Sequence, residues 1–273
     1  SHYIRYRNYV LSFCSGFPGR LRSSQRPRQG WPATGLRTMT ESIILSLADD
    51  DRLEELRELN KSLHSIDDRF CDRVFLRNPA SNRPEYHRFL LEDDRLVAGT
   101  SLLRHVVSWY GSKIEIGEIG LVGTYEEHRC KGYATTLMND WIETMQREGI
   151  PFCFLWGIPD FYERFHFYYA YPHHMTPYVS LPKSCTEDWE RVGTIREAEI
   201  GDRWWVKKLY RAYNADLNGC QVRSDEQWEH YFKVTEEEEL CRWWVPEDPM
   251  GGYALVCGDP PKVWEIASPS LNS

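Results

Sequence analysis

The sequence has no run of 18 or more apolar residues, which excludes a membrane-spanning helix from its 273 positions, and a mean hydropathy of -0.58 agrees. No membrane partner is expected. Neither G-x-x-x-x-G-K-[ST] nor G-x-G-x-x-G occurs, so the two common glycine-rich nucleotide loops are absent. The eight cysteines (Cys14, Cys71, Cys130, Cys153, Cys185, Cys220, Cys241 and Cys257) make no C-x-x-C pair and sit at no histidine-ligand spacing. That argues against zinc and against a dense disulfide frame. The expectation is reduced thiols, a cytoplasmic location and no metal.

Aspartate, glutamate and lysine are all missing from residues 1–38, which carry seven arginines. Their +7 against the chain's -8 leaves -15 for the remainder. The proline, glycine and weak periodicity of this leader read as a disordered tail. It fits an Arg-rich transit peptide, which would make the location organellar, a nucleic-acid arm, or translated sequence upstream of a start at Met39. The last is favoured, because patterned sequence begins just after Met39. Since only the leader is basic, nucleic acid is not an expected partner.

What is present suits a globular core: 41% of residues are hydrophobic and 14% aromatic, enough for one large or two modest domains. Asp49 to Asp51 cap a helix whose stripe is Leu53, Leu56, Leu59 and Leu63. Ser65 to Phe75 reads as a second short helix. Tyr86 to Leu91, a turn at Glu92-Asp93-Asp94-Arg95, Leu96 to Ser108, a turn at Gly111, and Ile114 to Thr124 read as an antiparallel meander. Ala134, Leu137, Met138, Trp141 and Met145 then recur at helical spacing, Gly149 ends that helix, and Pro151 to Gly157 is a strand. The class is α/β (α+β), with a mixed, mostly antiparallel sheet flanked by helices.

Between strand and helix lies Arg129-Cys130-Lys131-Gly132-Tyr133-Ala134-Thr135. The first amides of a helix lack intrahelical acceptors, the helix dipole favours negative charge there, and glycine lets an anion approach the backbone. Arg129 and Lys131 add positive charge. The turn reads as a phosphate site, although R-x-x-G-x-A alone is also a common surface turn.

This segment resembles the acetyl-CoA signature of the GNAT superfamily of N-acetyltransferases, a [QR]-x-x-G-x-[GA] loop after a splayed strand. Asp160-Phe161-Tyr162-Glu163-Arg164-Phe165-His166-Phe167 resembles the family's F-Y-x-R-F-G-F segment. The resemblance covers roughly residues 41 to 180, and its flavour is the enhanced-intracellular-survival (Eis) type, a branch with a second GNAT-like domain and a lipid-carrier-like C-terminal domain. No counterpart of that last domain precedes Ser273. His166 stands where the family has glycine, which implies a positive φ that histidine tolerates at some cost.

The resemblance implies acetyl-CoA as co-substrate, bound by Val122, Gly123 and Thr124 along its arm and by Arg129 to Thr135 at its pyrophosphate. It implies Tyr162 beside the departing thiolate and Glu118 as water-mediated base. Glu118 could equally be a paired edge carboxylate and Tyr162 a core aromatic. Glu115 is a poorer base, because odd spacing sends it to the other strand face unless a bulge intervenes. Cys130 is a loop residue rather than a nucleophile, and His128, His173 and His174 fall on no motif position.

After a polar connection at Pro182 to Glu190 the pattern partly repeats. Strands are expected at Thr194 to Ala198, Arg242 to Val245, Tyr253 to Cys257 and Val263 to Ile266, and helices at Asp202 to Asn214 and Ser224 to Phe232. The division is a leader at 1–38, a GNAT domain at 39–185 and an incomplete second GNAT-like domain at 186–273. The expected activity is acetyl transfer to a primary amine, small-molecule or lysine-type, in a ternary complex; the alternative is a GNAT-like module that binds acyl-CoA without turnover. Body charge suits a cationic acceptor, and a homo-oligomer is left open.

Overall fold

The structure, a computed structural model, describes residues 7–12, 44–158, 160–171, 194–237, 241–247, 251–258 and 261–268. The chain divides into two units, one of Ser1–Cys71, Arg83–Leu103 and Gly117–Ala170, the other of Asp72–Asn82, Arg104–Ile116 and Tyr171–Ser273.

Two primed turns organise the larger sheet. Asp93 and Asp94 (φ 50° and 59°) join β3 (His87–Glu92) to β4 (Arg95–Trp109), and Tyr110 and Gly111 (φ 47° and 77°) join β4 to β5 (Ser112–Thr124). Two consecutive left-handed residues match the twist of the flanking strands, and the short side chain of aspartate tolerates that region. With β1 (Arg7–Ser12), β2 (Ile44–Ser46), β6 (Phe152–Gly157) and β7 (Tyr168–Tyr171), the sheet runs β2-β3-β4-β5-β6-β1-β7. Pairing is antiparallel at β2–β3, β3–β4 and β1–β6 and parallel at β5–β6.

The leader, expected as a disordered tail, thus contributes a strand: Tyr9, Val10 and Leu11 lie opposite Leu155, Phe154 and Cys153, where the edge of β6 offers backbone partners. The rest of the leader lies outside the described residues, as do His173, His174, Cys14 and Cys185.

Helix α1 (Leu53–His64) covers one face of this sheet and α3 (Tyr133–Glu148) the other. A Cβ built on Gly99 would lie 2.5 Å from Leu56 and 3.2 Å from Leu59, whereas one on Gly117 would lie 2.7 Å from Met145. Leu102, Ile119, Met138, Trp141, Met145, Cys153 and Leu155 form the core beneath α3. The expected second helix is shorter than read: α2 spans Asp68–Asp72 and opens into a π-helical turn, Arg73–Arg77.

The second unit holds an antiparallel sheet in the order β11-β10-β9-β8, made of β8 (Ile195–Glu197), β9 (Cys241–Pro246), β10 (Tyr253–Cys257) and β11 (Lys262–Ala267). Helices α4 (Arg203–Tyr213) and α5 (Asp225–Glu237) supply Trp205, Leu209, Trp228 and Phe232 to its core. Within it Arg223 bonds Glu265 through both guanidinium nitrogens (3.1 and 2.6 Å) and lies 4.2 Å from the rings of Tyr210 and Tyr231. Cys241 and Cys257 are directly opposed on β9 and β10 and are joined as a disulfide. The expectation of reduced thiols throughout fails for this pair, because register brings together two cysteines that are distant in sequence.

Candidate functional site

Strand β5 departs from regular alternation at one residue. Leu121 has φ 53°, a conformation that costs a leucine about 1 kcal/mol or more. Ile119 belongs to the core under α3 and Val122 packs against that same core, although plain alternation would send residues three apart to opposite faces. Leu121 is therefore the extra residue of a bulge. It follows Glu118, so Glu118 and Glu115 stay on opposite faces. Glu115 forms an ion pair with Arg104 in the second unit.

The bulge coincides with a parting of strands. Gly117, Glu118 and Ile119 pair with Cys153, Phe154 and Leu155, and the β5–β6 ladder ends there. Beyond it, β5 runs on through Gly120 to Thr124 to the turn that starts α3. Gly123 is buried against α1, and a Cβ there would lie 2.8 Å from Leu63 and 3.6 Å from Nε2 of His64. That Nε2 and the Thr124 hydroxyl are buried without a hydrogen-bond partner. Burial lowers the pKa of His64, favouring the neutral imidazole.

The turn has the form of an anion cradle. Cys130 (φ 62°) and Gly132 (φ 91°) are left-handed, Gly132 caps α3 with no side-chain bond, and a Cβ on Gly132 would meet nothing within 4 Å. The Thr136 amide bonds to the Gly132 carbonyl at 3.0 Å, so the amides of Tyr133, Ala134 and Thr135 precede the first helical bond. Cys130 and Arg129 are exposed, and Arg129 Nε reaches the Thr124 carbonyl at 3.5 Å.

Lys131, expected among the phosphate ligands, is ion-paired with Glu92. Its ammonium lies 2.9 Å from both oxygens of Glu92, which also accepts from Tyr133 at 3.0 Å and meets His128 Nδ1 at 2.5 Å. Lys131 above all, then His128 and Tyr133, hold the Glu92 carboxyl at about 2. A carboxylate at the hairpin end of β3 therefore neutralises the lysine. Nothing in the local sequence ties Glu92 to residues some forty positions on; only the sheet brings them together.

Tyr162 is buried in the core under α3, its ring against Gly157, where a Cβ would lie 2.2 Å away. Phe161 meets it edge-on at 4.8 Å. His166 has the positive φ (64°) expected of it. Glu118 lies on the α1 face and Tyr162 on the α3 side of the parting strands. A cavity of about 400 Å³ lies away from these residues, within the second unit. Of its four carboxylates, Glu197, Glu236 and Glu237 pair with Arg242, Arg203 and Arg77, and Glu199 accepts from the Asp202 amide.

With this geometry in view, comparison with known proteins gives the class. Residues 56–170 match the family profile described as an acetyltransferase (GNAT) domain. Over that segment, which is less than half of the chain, the protein is similar to the GNAT superfamily. No curated protein sequence gives a match.

Among solved structures, the chain is similar to a probable N-acyltransferase from Enterococcus faecalis V583 (14% identity, TM-score 0.59, 84% of this chain and 59% of that one). It is also similar to Eis1 from Mycobacterium abscessus (12%, 0.54, 84% and 59%) and to the N-myristoyltransferase of Saccharomyces cerevisiae with bound myristoyl-CoA (14%, 0.52, 89% and 70%). At these identities the likeness is one of fold. The chain spans 59% of the length of the first two.

Proposed function

We propose that the protein is an acyl-CoA-dependent N-acyltransferase, acetyl-CoA being the donor, that transfers the acyl group directly to a primary amine in a ternary complex. The observation that carries this is the parting of β5 from β6 after Ile119 and Leu155, immediately ahead of the uncapped, glycine-started helix α3. An extended pantetheine arm can pair with strand backbone left over at Val122 to Thr124, while its pyrophosphate takes the amides of Gly132 to Thr135. The similarity to a structure with bound myristoyl-CoA supports an acyl-CoA donor.

In the reaction the amine nitrogen bonds to the thioester carbon and the carbon–sulfur bond breaks. An alkyl ammonium titrates near pH ~10.4, so a proton must first leave; Glu118 receives it, directly or through water. The Tyr162 hydroxyl hydrogen-bonds the departing thiolate, whose conjugate thiol, at ~8.5, is a stronger acid than a phenol at ~10, so tyrosine serves as donor more than as full acid. We read the second unit as a GNAT-like half, on the support of its antiparallel sheet and two helices.

Thiol release with a panel of amines tests the proposal. Glu118→Gln should lower kcat about 100-fold or more, and Tyr162→Phe by about tenfold or more, each with acetyl-CoA binding retained. The burial of Tyr162 among Phe161, Phe165 and Phe167 favours a second reading, a binding module without turnover. Acetyl-CoA binding with no amine-dependent thiol release would select it.

A further inference from the structure

The face of β5 that carries Glu118 also carries the side chains of β6 that the α3 core leaves out. Cys153 and Leu155 are buried under α3 and Gly157 meets Tyr162 there, so Phe154 and Trp156 point to the opposite face, the one that bears Glu118. Phe154 is the direct register partner of Glu118. Trp156 stands one alternation further along, beside the point where the β5–β6 ladder ends, and is 47% exposed. Across from it, Gly120 offers no side chain, and a Cβ there would touch only Leu103, at 3.5 Å. Glu118, Phe154, Trp156, Gly120 and Leu103 thus share one face of the parting strands, which among the described residues sets one carboxylate beside an aromatic wall and leaves space at Gly120.

Resting on the N-acyltransferase reading, we propose that this face forms a cleft that is the acceptor subsite, and that it selects a monoamine with a flat apolar body, the nitrogen at Glu118 and the body against Trp156. The charge fits: one carboxylate matches one cationic centre, and the -15 carried outside residues 1–38 draws cations to the surface. The wall fits as well, because an indole face attracts both aromatic rings and ammonium groups. A polyamine is disfavoured by the same residues. It needs a second acid along the cleft, and Glu115 lies on the other face and is paired with Arg104.

Phenethylamine and spermidine are the probes. Thiol release from acetyl-CoA should be at least about tenfold more efficient with phenethylamine. Trp156→Ala should raise KM for phenethylamine about tenfold, the size of one stacking or cation–π contact, with kcat changed less than about threefold. Trp156→Phe should recover most of that loss, and the acetyl-CoA Kd should not move in either variant. Preference for spermidine, or an equal loss with both amines, overturns the proposal.

Calorimetric titration of phenethylamine separates this inference from the reading beneath it. If the wild-type protein releases no thiol yet binds phenethylamine about tenfold more tightly than Trp156→Ala does, turnover fails and the cleft stands. If the wild-type protein does not bind phenethylamine, the cleft assignment fails whatever the turnover.

Discussion

Helix α3 of the first unit starts at a left-handed glycine with no side-chain cap; α4 of the second has no side-chain cap of its own either, but it continues a 3-10 turn, Ile200–Asp202, in which the Glu199 and Asp202 side chains and backbone amides bond reciprocally. Asp202 also takes both guanidinium nitrogens of Arg196, at 2.7 and 2.9 Å. Helix α5 begins with a similar exchange, the Gln227 amide donating to the Ser224 hydroxyl at 3.1 Å and the Ser224 amide to the Gln227 side chain at 2.9 Å. Every helix start presents the same unmet amides. The second unit meets that demand with side chains at Ile200–Asp202 and at the start of α5, and α3 leaves it open beside a strand that has parted from its neighbour. On the acyltransferase reading, the open start of α3 is the one a ligand would fill.

If that contrast holds, damage to the second unit should appear as lost stability and damage to the first as lost binding. The largest effect should come from Arg223→Met. It strands Glu265, whose side chain is 16% exposed, without its cation, a loss of about 3–5 kcal/mol. Thermal melting should show it, while the acetyl-CoA Kd, measured below the transition, changes less than about twofold. A parallel loss of binding would break the separation.

Next, Gly132→Asp should weaken acetyl-CoA about 100-fold, roughly 2.7 kcal/mol, by placing a negative charge at the anion site and a side chain on a φ of 91°. Gly132→Ala has open space around it and should lose only the conformational part, about 1 kcal/mol. Equal losses in the two variants would mean that backbone shape, not charge, governs the site.

Most of the secondary structure was legible from residue spacing, because each element announces itself locally. The α1 stripe buries Leu56 and Leu59, and the Asp-Asp and Tyr-Gly turns fall where polar and glycine residues interrupt apolar runs. The turn from Arg129 into α3 was legible for the same reason: glycine, arginine and a helix start are contiguous.

What escaped was made by distant pairing. The strand Arg7–Ser12 looks like a tail until β6 offers it an edge, and the Cys241–Cys257 bridge exists only because β9 and β10 set those residues opposite one another. The same limit applies to the Glu92 partner of Lys131, which nothing near either residue in the sequence announces. Leu121 gave no signal at all, since nothing in the residue type asks for a positive φ; the strain is imposed by its neighbours.

A smaller test bears on the closed helix start. Arg196, and after it the Glu199 amide, hold the Asp202 carboxyl below the usual carboxylate range. A depressed folded value means that the contribution is complete above the unfolded pKa, about 3.9, and is lost as pH falls through the folded value. Asp202→Asn should therefore cost about 1 kcal/mol at pH 7, and the gap to the wild-type protein should close in strong acid. Urea midpoints at the two pH values check it. A gap that survives acidification would assign the loss to packing rather than charge.

The smallest expected effect sharpens the open helix start. Glu92 occupies Lys131 and, with a carboxyl at about 2, keeps its charge at any pH where the protein would be assayed. The turn is therefore less positive than its sequence suggests. Glu92→Gln should release the Lys131 ammonium toward the phosphates and tighten acetyl-CoA about threefold, within what one partly screened surface charge contributes, and the gain should shrink as salt rises. If binding weakens instead, Glu92 is holding the turn in shape through Lys131, His128 and Tyr133. The open start would then depend on internal side-chain bonds just as the closed one does, differing only in that they brace the turn rather than fill it.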